Sequence, residues 1–424
     1  MGGNVVTNHK LNTGRRRFLK TGAATAMALS APAILRAEGT GAIRVGMPTI
    51  LSGVVSILGE SSVAGAKLVF DEFNASGGLD GRKIELITRD SRAKPEEAAK
   101  AVRDLVNGDG CNIILDAEAS SGSFAVQEVI KSIGALCLHT VSEATPLSAD
   151  PALHAPTAFR SARQGIHDAI GGGAYAAAVA KEKGLKRWAT CSPDYAYGRT
   201  TTAEFMEYAK YFNSDIEVIG QAWPKLFQPD YTEVITRILQ WRPDALYSAL
   251  WGGDLVSFID QANLYALFDQ TETFSVNLGD YPVLTAVEQL PNGMRSGSRY
   301  NKVVPNTPEN NAFYDAYVAK FGTLPTNWSW ENATAATFVI EALKDVGTDD
   351  PVKLAEAIRG RTIASPFGVD GTLTMRAEDH TLTGYAVGYG VTTAEEPFMK
   401  DFHTSSWEQI LELEADWKKR QGFA

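Results

Sequence analysis

Hydroxyl and carboxyl groups recur in this chain where a strand is expected to give way to a helix. Asp116-Ala117-Glu118-Ala119-Ser120-Ser121-Gly122-Ser123 leads into a helical pattern at Phe124, and Thr140-Val141-Ser142-Glu143-Ala144-Thr145-Pro146 follows the next strand. Serine hydroxyls beside the bare N–H groups of a helix N-terminus suit a carboxylate, because unpaired donors and the helix dipole both point at it. One such loop alone reads as ordinary helix capping; two neighbouring strand ends of the same character put carboxylate binding on an equal footing. Further strand ends carry Ser192-Pro193-Asp194-Tyr195-Ala196-Tyr197-Gly198, Trp251-Gly252-Gly253-Asp254 and Asn277-Leu278-Gly279-Asp280-Tyr281. Tyr and Trp supply flat apolar walls with a polar edge. Asp280 has the chemistry to accept a ligand ammonium, although its place before Tyr281-Pro282 also suits a turn or cap. Trp328 and Trp330, at the start of a helix, suit core and cleft alike.

Reaction chemistry is hard to find. There is no G-x-x-x-x-G-K-[ST] phosphate loop, no H-E-x-x-H and no G-x-S-x-G. Gly171-Gly172-Gly173-Ala174-Tyr175-Ala176 fits G-x-G-x-x-A formally but falls inside a helical pattern rather than after a strand. The six histidines (9, 139, 154, 167, 380 and 403) show no pair at metal-ligand spacing. His139, at a strand end, reads as a hydrogen-bonded framework residue. The expectation is a binding protein, not an enzyme, with no metal and no cofactor.

These residues sit in a chain of 424, enough for two or three domains. Lys and Arg number 40 against 50 Asp and Glu, a formal charge of −10, which argues against nucleic-acid binding. No apolar run reaches the ~18 residues of a membrane span. Cys111, Cys137 and Cys191 form no Cys-x-x-Cys pair and cannot make a disulfide scaffold. Residues 1–37 carry Lys10, Arg15, Arg16, Arg17, Lys20 and Arg36 without any carboxylate. A basic start, a short Ala-rich apolar stretch (Thr21 to Leu35) and the small exit residue Ala37 read as a secretory signal. Arg15-Arg16-Arg17-Phe18-Leu19-Lys20 is similar to a twin-arginine signal, with Gly14 in place of the usual Ser or Thr. Export to the periplasm is expected, and a remainder more acidic than the whole.

From Ile43 two periodicities alternate. Ile43, Val45 and Met47 repeat every second residue as in a strand, and Ala66, Val69, Phe70 and Phe73 share one helix face. Strands at Ile84–Arg89, Ile113–Leu115 and Ala135–Leu138 alternate with helices, one opened by Pro95. After Arg160 the rhythm restarts, with helices near 164–182, 199–212, 231–241 and 254–267 and strands Trp188–Cys191, Ile216–Gln221, Ala245–Leu250 and Thr273–Val276. A strand Met294–Val303, helices at 308–321, 329–346 and 351–359, glycine-interrupted strands and a polar, helical tail (396–424) follow. The fold class is α/β: two doubly wound parallel-sheet lobes whose strand ends make a cleft.

In their order and spacing, Leu51-Ser52-Gly53, Gly65-Ala66, Asn74–Gly81, Arg89-Asp90-Ser91, Pro95-Glu96-Glu97-Ala98, Ser120-Ser121, Asp194–Gly198 and Pro243-Asp244-Ala245 make the chain resemble the periplasmic solute-binding proteins of ABC transporters. Within these it is similar to the Leu/Ile/Val-binding branch, of the type I periplasmic binding fold. The resemblance implies lobe 1 from 38–160 plus 295–370, lobe 2 from 161–294 plus 371–395, and a hinge of three crossings near 158–162, 291–297 and 368–373. It implies a small carboxylate ligand, a branched-chain or other amino acid, enclosed by lobe closure and delivered by a monomer to a membrane permease. Ser120, Ser121 and Ser142 would hold the carboxylate, with Thr145 standing in where Ala144 replaces the family's usual Thr. Tyr197, Trp251, Trp330 and Leu58 would wall the ligand, and Asp280 would hold an ammonium. Trp188-Ala189-Thr190 followed by Asp194–Gly198 also resembles relatives that take aromatic carboxylates. An aromatic-acid receptor and a sensory ligand-binding module are the alternatives.

Overall fold

The computed structural model describes residues 41–424; the export segment read at 1–37 lies outside them. The first layer is built from β1 (Ile43–Thr49), α1 (Ser56–Ala75), β2 (Ile84–Asp90), α2 (Pro95–Arg103), β3 (Ile113–Asp116), α3 (Ser120–Ile133), β4 (Leu136–His139), α4 (Pro146–Ala149) and β5 (Ala158–Arg160). Its strands run parallel in the order β2-β1-β3-β4-β5. Every residue of β3 and β4 is buried, as continuous apolar strands covered on both faces should be. The fifth strand, β5, lies where only a crossing was expected.

The second layer runs through α5 (Gly165–Lys183), β6 (Arg187–Cys191), α6 (Ala196–Phe212), β7 (Glu217–Ala222), α7 (Thr232–Trp241), β8 (Ala245–Ser248), α8 (Gly252–Leu264), α9 (Leu267–Gln270), β9 (Glu272–Ser275), α10 (Tyr281–Ala286) and β10 (Arg295–Gly297). The chain then makes α11 (Pro308–Phe321), α12 (Asn327–Val346), α13 (Pro351–Ile358), β11 (Thr362–Ala364), β12 (Thr372–Met375), β13 (Leu382–Thr383), β14 (Gly388–Thr392), β15 (Met399–Thr404) and α14 (Trp407–Gln421). The second sheet has the order β15-β14-β10-β9-β8-β6-β7, and β11-β12-β13 form a small antiparallel sheet.

Three expectations are corrected. The strand expected over 294–303 is three residues long and belongs to the second sheet. Beyond Gly297 the chain leaves the ladder: Arg299 turns into a buried ion cluster and Tyr300 into an aromatic one with Tyr281, Phe313 and Phe367. The alternation that suggested a strand thus serves side-chain packing. Secondly, the small sheet stays with the first layer, since the Arg160 N–H donates to the His380 carbonyl at 2.8 Å and Arg160 bridges Thr381. The layers are therefore joined at 161–164, between β10 and α11, and at 384–387, the last two later than expected. Thirdly, the C-terminal segment is only partly helical. β15 pairs antiparallel with β14 before α14 packs on α5.

Two glycines show how closely the helices approach. A Cβ on Gly65 of α1 would lie 2.1 Å from the Ser329 carbonyl oxygen of α12, a backbone atom that cannot rotate away. We expect Gly65→Ala to cost about 1–3 kcal/mol by overpacking, read as a lower urea midpoint. Gly173, in the run that resembled a dinucleotide fingerprint, would meet Ala209 N at 2.8 Å in α6. That run is a helix-packing surface. Cys111, Cys137 and Cys191 are buried free thiols.

Candidate functional site

Residues following β3, β4, β6, β8 and β9 line one narrow cavity. A doubly wound sheet leaves a crevice outside the carboxyl ends of its strands; here both sheets contribute to the same one.

One wall is the start of α3. Ser120, its first residue, is buried, and its Oγ accepts from the Ser142 hydroxyl at 3.2 Å and the Ala144 N–H at 3.3 Å. The residue before the helix is Ala119, which has no side-chain cap to offer. The first N–H groups of an α-helix have no intrahelical acceptor, so those of Ser120 and Ser121 are left for another partner. Ser120 lines the cavity; Ser142 supports it from behind, and half-buried Ser121 is not in the wall.

Leu58, Tyr197 and Trp251 also line the cavity. The Asn277 amide donates to the Tyr197 hydroxyl oxygen at 2.9 Å and to the Leu250 carbonyl at 3.1 Å, bracing three strand ends together. Burial holds the Tyr197 phenol far above its ordinary pKa, so the ring stays neutral. Trp330 is not in the wall: its Nε1–H donates to the Arg299 carbonyl at 3.2 Å and to Asn327 Oδ1 at 3.1 Å, and the ring packs in the core. Trp328 takes the place, its ring 6.0 Å from that of Trp251. Residues two apart on a helix point ~200° apart, so only one of the pair can face the cleft. Thr145 also lies outside it. Its hydroxyl donates to Glu204 Oε2 at 2.9 Å and accepts from the Ile166 N–H at 3.0 Å, tying the loop to α5 and α6.

Charged groups also line the cavity. Asp280 is buried where α10 begins, and its Oδ1 accepts from the Asn327 N–H at 2.9 Å. Burial pushes its carboxyl up to about 7, only partly opposed by that bond. Glu143 and Arg299, also in the wall, form an ion pair. Arg299 Nη1 lies 3.0 Å from Asp168 Oδ2, and Asp168 also binds the Arg163 guanidinium. Arg163 donates in turn to the Ala386 carbonyl at 2.9 Å, and its N–H to Glu331 Oε1 at 2.8 Å. Residues of all three crossings thus meet in one buried cluster behind the cavity.

Glu143, Tyr195 and Asn277 lie in loops the sequence singles out, without being picked as site residues. Arg299 falls inside the strand expected over 294–303 and Asn327 just ahead of the helix expected from 329, so no sequence signal points to them; Trp328 suits core and cleft alike by sequence. Among the described residues no group of His, Cys, Asp and Glu is placed to hold a metal ion, and no helix is long and apolar enough to cross a membrane.

The chain is 23% identical over 389 residues to a Leu/Ile/Val-binding protein homologue of Brucella suis, covering 89% of this chain and 91% of the relative. Its fold is similar to a solute-binding protein of an R. palustris ABC transporter in complex with benzoate, with TM-score 0.74 and 20% identity over 86% of this chain and 96% of that one. It is equally similar to a branched-chain amino acid transporter substrate-binding protein of Streptococcus pneumoniae in complex with isoleucine, with TM-score 0.73 and 18% identity over 86% and 99%. The sequence profile described as "Periplasmic binding protein" matches residues 42–394. Two sheets sharing one cavity at their strand ends, and a family match that spans all their strands but β15, place this chain in the periplasmic binding protein family of solute receptors.

Proposed function

We propose that the protein is an exported receptor of an ABC importer that closes its lobes around one small carboxylate of the amino-acid type and presents it to a membrane permease. The carrying observation is the polarity of the cavity. Ser120 at the start of α3, Asp280 and the apolar bodies of Leu58, Tyr197 and Trp251 line one cavity, and the first N–H groups of α3 have no intrahelical acceptor. Uncommitted donors suit a carboxylate and a buried acid suits an ammonium, so the wall fits a zwitterion with an apolar side chain. Closure follows from binding, because a ligand touching both lobes favours the closed state by its differential affinity. The basic segment at 1–37 would route the chain through twin-arginine export.

A second reading rests on the rings. Tyr195, Tyr197, Trp251 and Trp328 all line the cavity, and they suit an aromatic carboxylate without an ammonium. A thermal-shift panel of amino acids, aromatic acids, keto acids and amides separates the two. A ligand at 100 times its Kd adds about 2.7 kcal/mol of stability, and amino acids are expected to give the largest shift. A shift from benzoates alone would establish the second reading; no shift from any carboxylate would sink both.

A further inference from the structure

Asp280 has a neighbour whose valence is only half used. Glu143 lines the cavity and is 4% exposed; Arg299 and the Asn327 amide (3.4 Å) both reach its Oε1, while Oε2 is buried with no hydrogen-bond partner among the described residues. A carboxylate oxygen buried without a donor is unfavourable, and a donor arriving in the cavity relieves it. Asn327 places the two acids together, giving its backbone N–H to Asp280 and its side-chain amide to Glu143. The Arg163 guanidinium is engaged by Asp168, and that of Arg299 by Asp168 and by Glu143 Oε1, so neither supplies a donor to the second oxygen of Glu143. A cationic group entering the cavity would be the donor that this oxygen lacks.

We propose that Glu143 is a specificity-determining residue whose Oε2 accepts an N–H of the ligand ammonium beside Asp280, with Arg299 as the positioning residue that holds Oε1. This deepens the amino-acid reading above and rests on it. The site then selects a primary ammonium with N–H groups to spare, because two carboxylates must each receive one.

Calorimetric titration of the wild type, Glu143→Gln and Asp280→Asn with two matched pairs tests this: L-leucine with 4-methylpentanoate, and L-phenylalanine with 3-phenylpropanoate. The wild type should prefer the amino member of a pair. Glu143→Gln, which can still accept from Arg299, should weaken that member by about tenfold or more and change the plain acid by less than about twofold. Equal loss for both members, or a preference kept in Glu143→Gln but lost in Asp280→Asn, would show that Glu143 only holds Arg299; the amino-acid reading would then survive alone. A wild type without preference, or without heat from any of the four, overturns both. Should Glu143→Gln not fold, Glu143→Asp, which keeps the charge but shortens its reach, carries the same comparison.

Discussion

Replacing Asp168 with alanine is expected to lower the unfolding free energy by about 3–5 kcal/mol, the scale for removing one partner from a buried ion pair. Asp168 lies in the first turn of α5 and is 3% exposed. It accepts from Arg163 Nε at 3.1 Å and Arg299 Nη1 at 3.0 Å, and it pairs with Arg163 Nη2. Burial works against the Arg163 charge, and Asp168 more than offsets it; burial lowers Arg299 to about 10. Without Asp168 two guanidiniums are left in the interior with less compensation, at the point where the three crossings meet. Urea unfolding should show a much lower midpoint at unchanged slope. The exposed pair Arg237–Glu233 is the control. Glu233→Ala should move stability by no more than about 0.5 kcal/mol, because solvent already screens that charge.

The second large effect is on binding. Asp280→Ala should weaken an amino-acid ligand by about 2–4 kcal/mol, roughly 30- to 1,000-fold, since it leaves a buried ammonium without one of its partners. The plain acid of the same shape should change far less. The pH dependence has a definite sign. Because burial pushes Asp280 up to about 7 in the folded protein, the acid holds a proton below that pH and must release it before it can receive an ammonium. Affinity for an amino acid should rise as pH climbs through about 7 and level off above it. Below, it should fall by up to tenfold per pH unit. A ligand lacking an ammonium should show no such fall. Titrations at pH 5.5, 6.5 and 8 with one matched pair suffice, and a flat profile for the amino acid would contradict this role for Asp280.

Regular elements were legible in the sequence wherever one periodicity ran long enough to bury a face. α1 is a long amphipathic helix, β1 shows an apolar residue at every second position, and the buried strands β3 and β4 are short apolar runs. Legibility failed where apolar residues had other work. Tyr300 sits in an aromatic cluster rather than a strand, and the stretch holding β15 and α14 switches from alternation to helix within a few polar residues. At the site, Ser120, Tyr197, Trp251 and Asp280 line the cavity, because strand ends in this fold class open toward a crevice and their chemistry was visible in the loops; Leu58, which lines it from α1, is named by the family resemblance alone. Trp330 and Thr145 were placed in the wrong setting. Helix phase decides between Trp328 and Trp330, and the hydroxyl of Thr145 is engaged by Glu204 and the Ile166 N–H; neither fact exists in one dimension.

The sequence by itself determined that two α/β lobes place hydroxyls, aromatic rings and acids at their strand ends, because local periodicity and turn chemistry act over a few residues. Tertiary structure alone decided that Arg299 and Asn327 join that cavity, that Glu143 lines it with one oxygen left without a hydrogen-bond partner, and that Arg163 and Asp168 lock the crossings behind it. Arg299 reaches Asp168 and Glu143 across 131 and 156 positions, and Arg163 reaches Ala386 across 223. The energies of these contacts depend on shared burial, which no stretch of chain carries on its own.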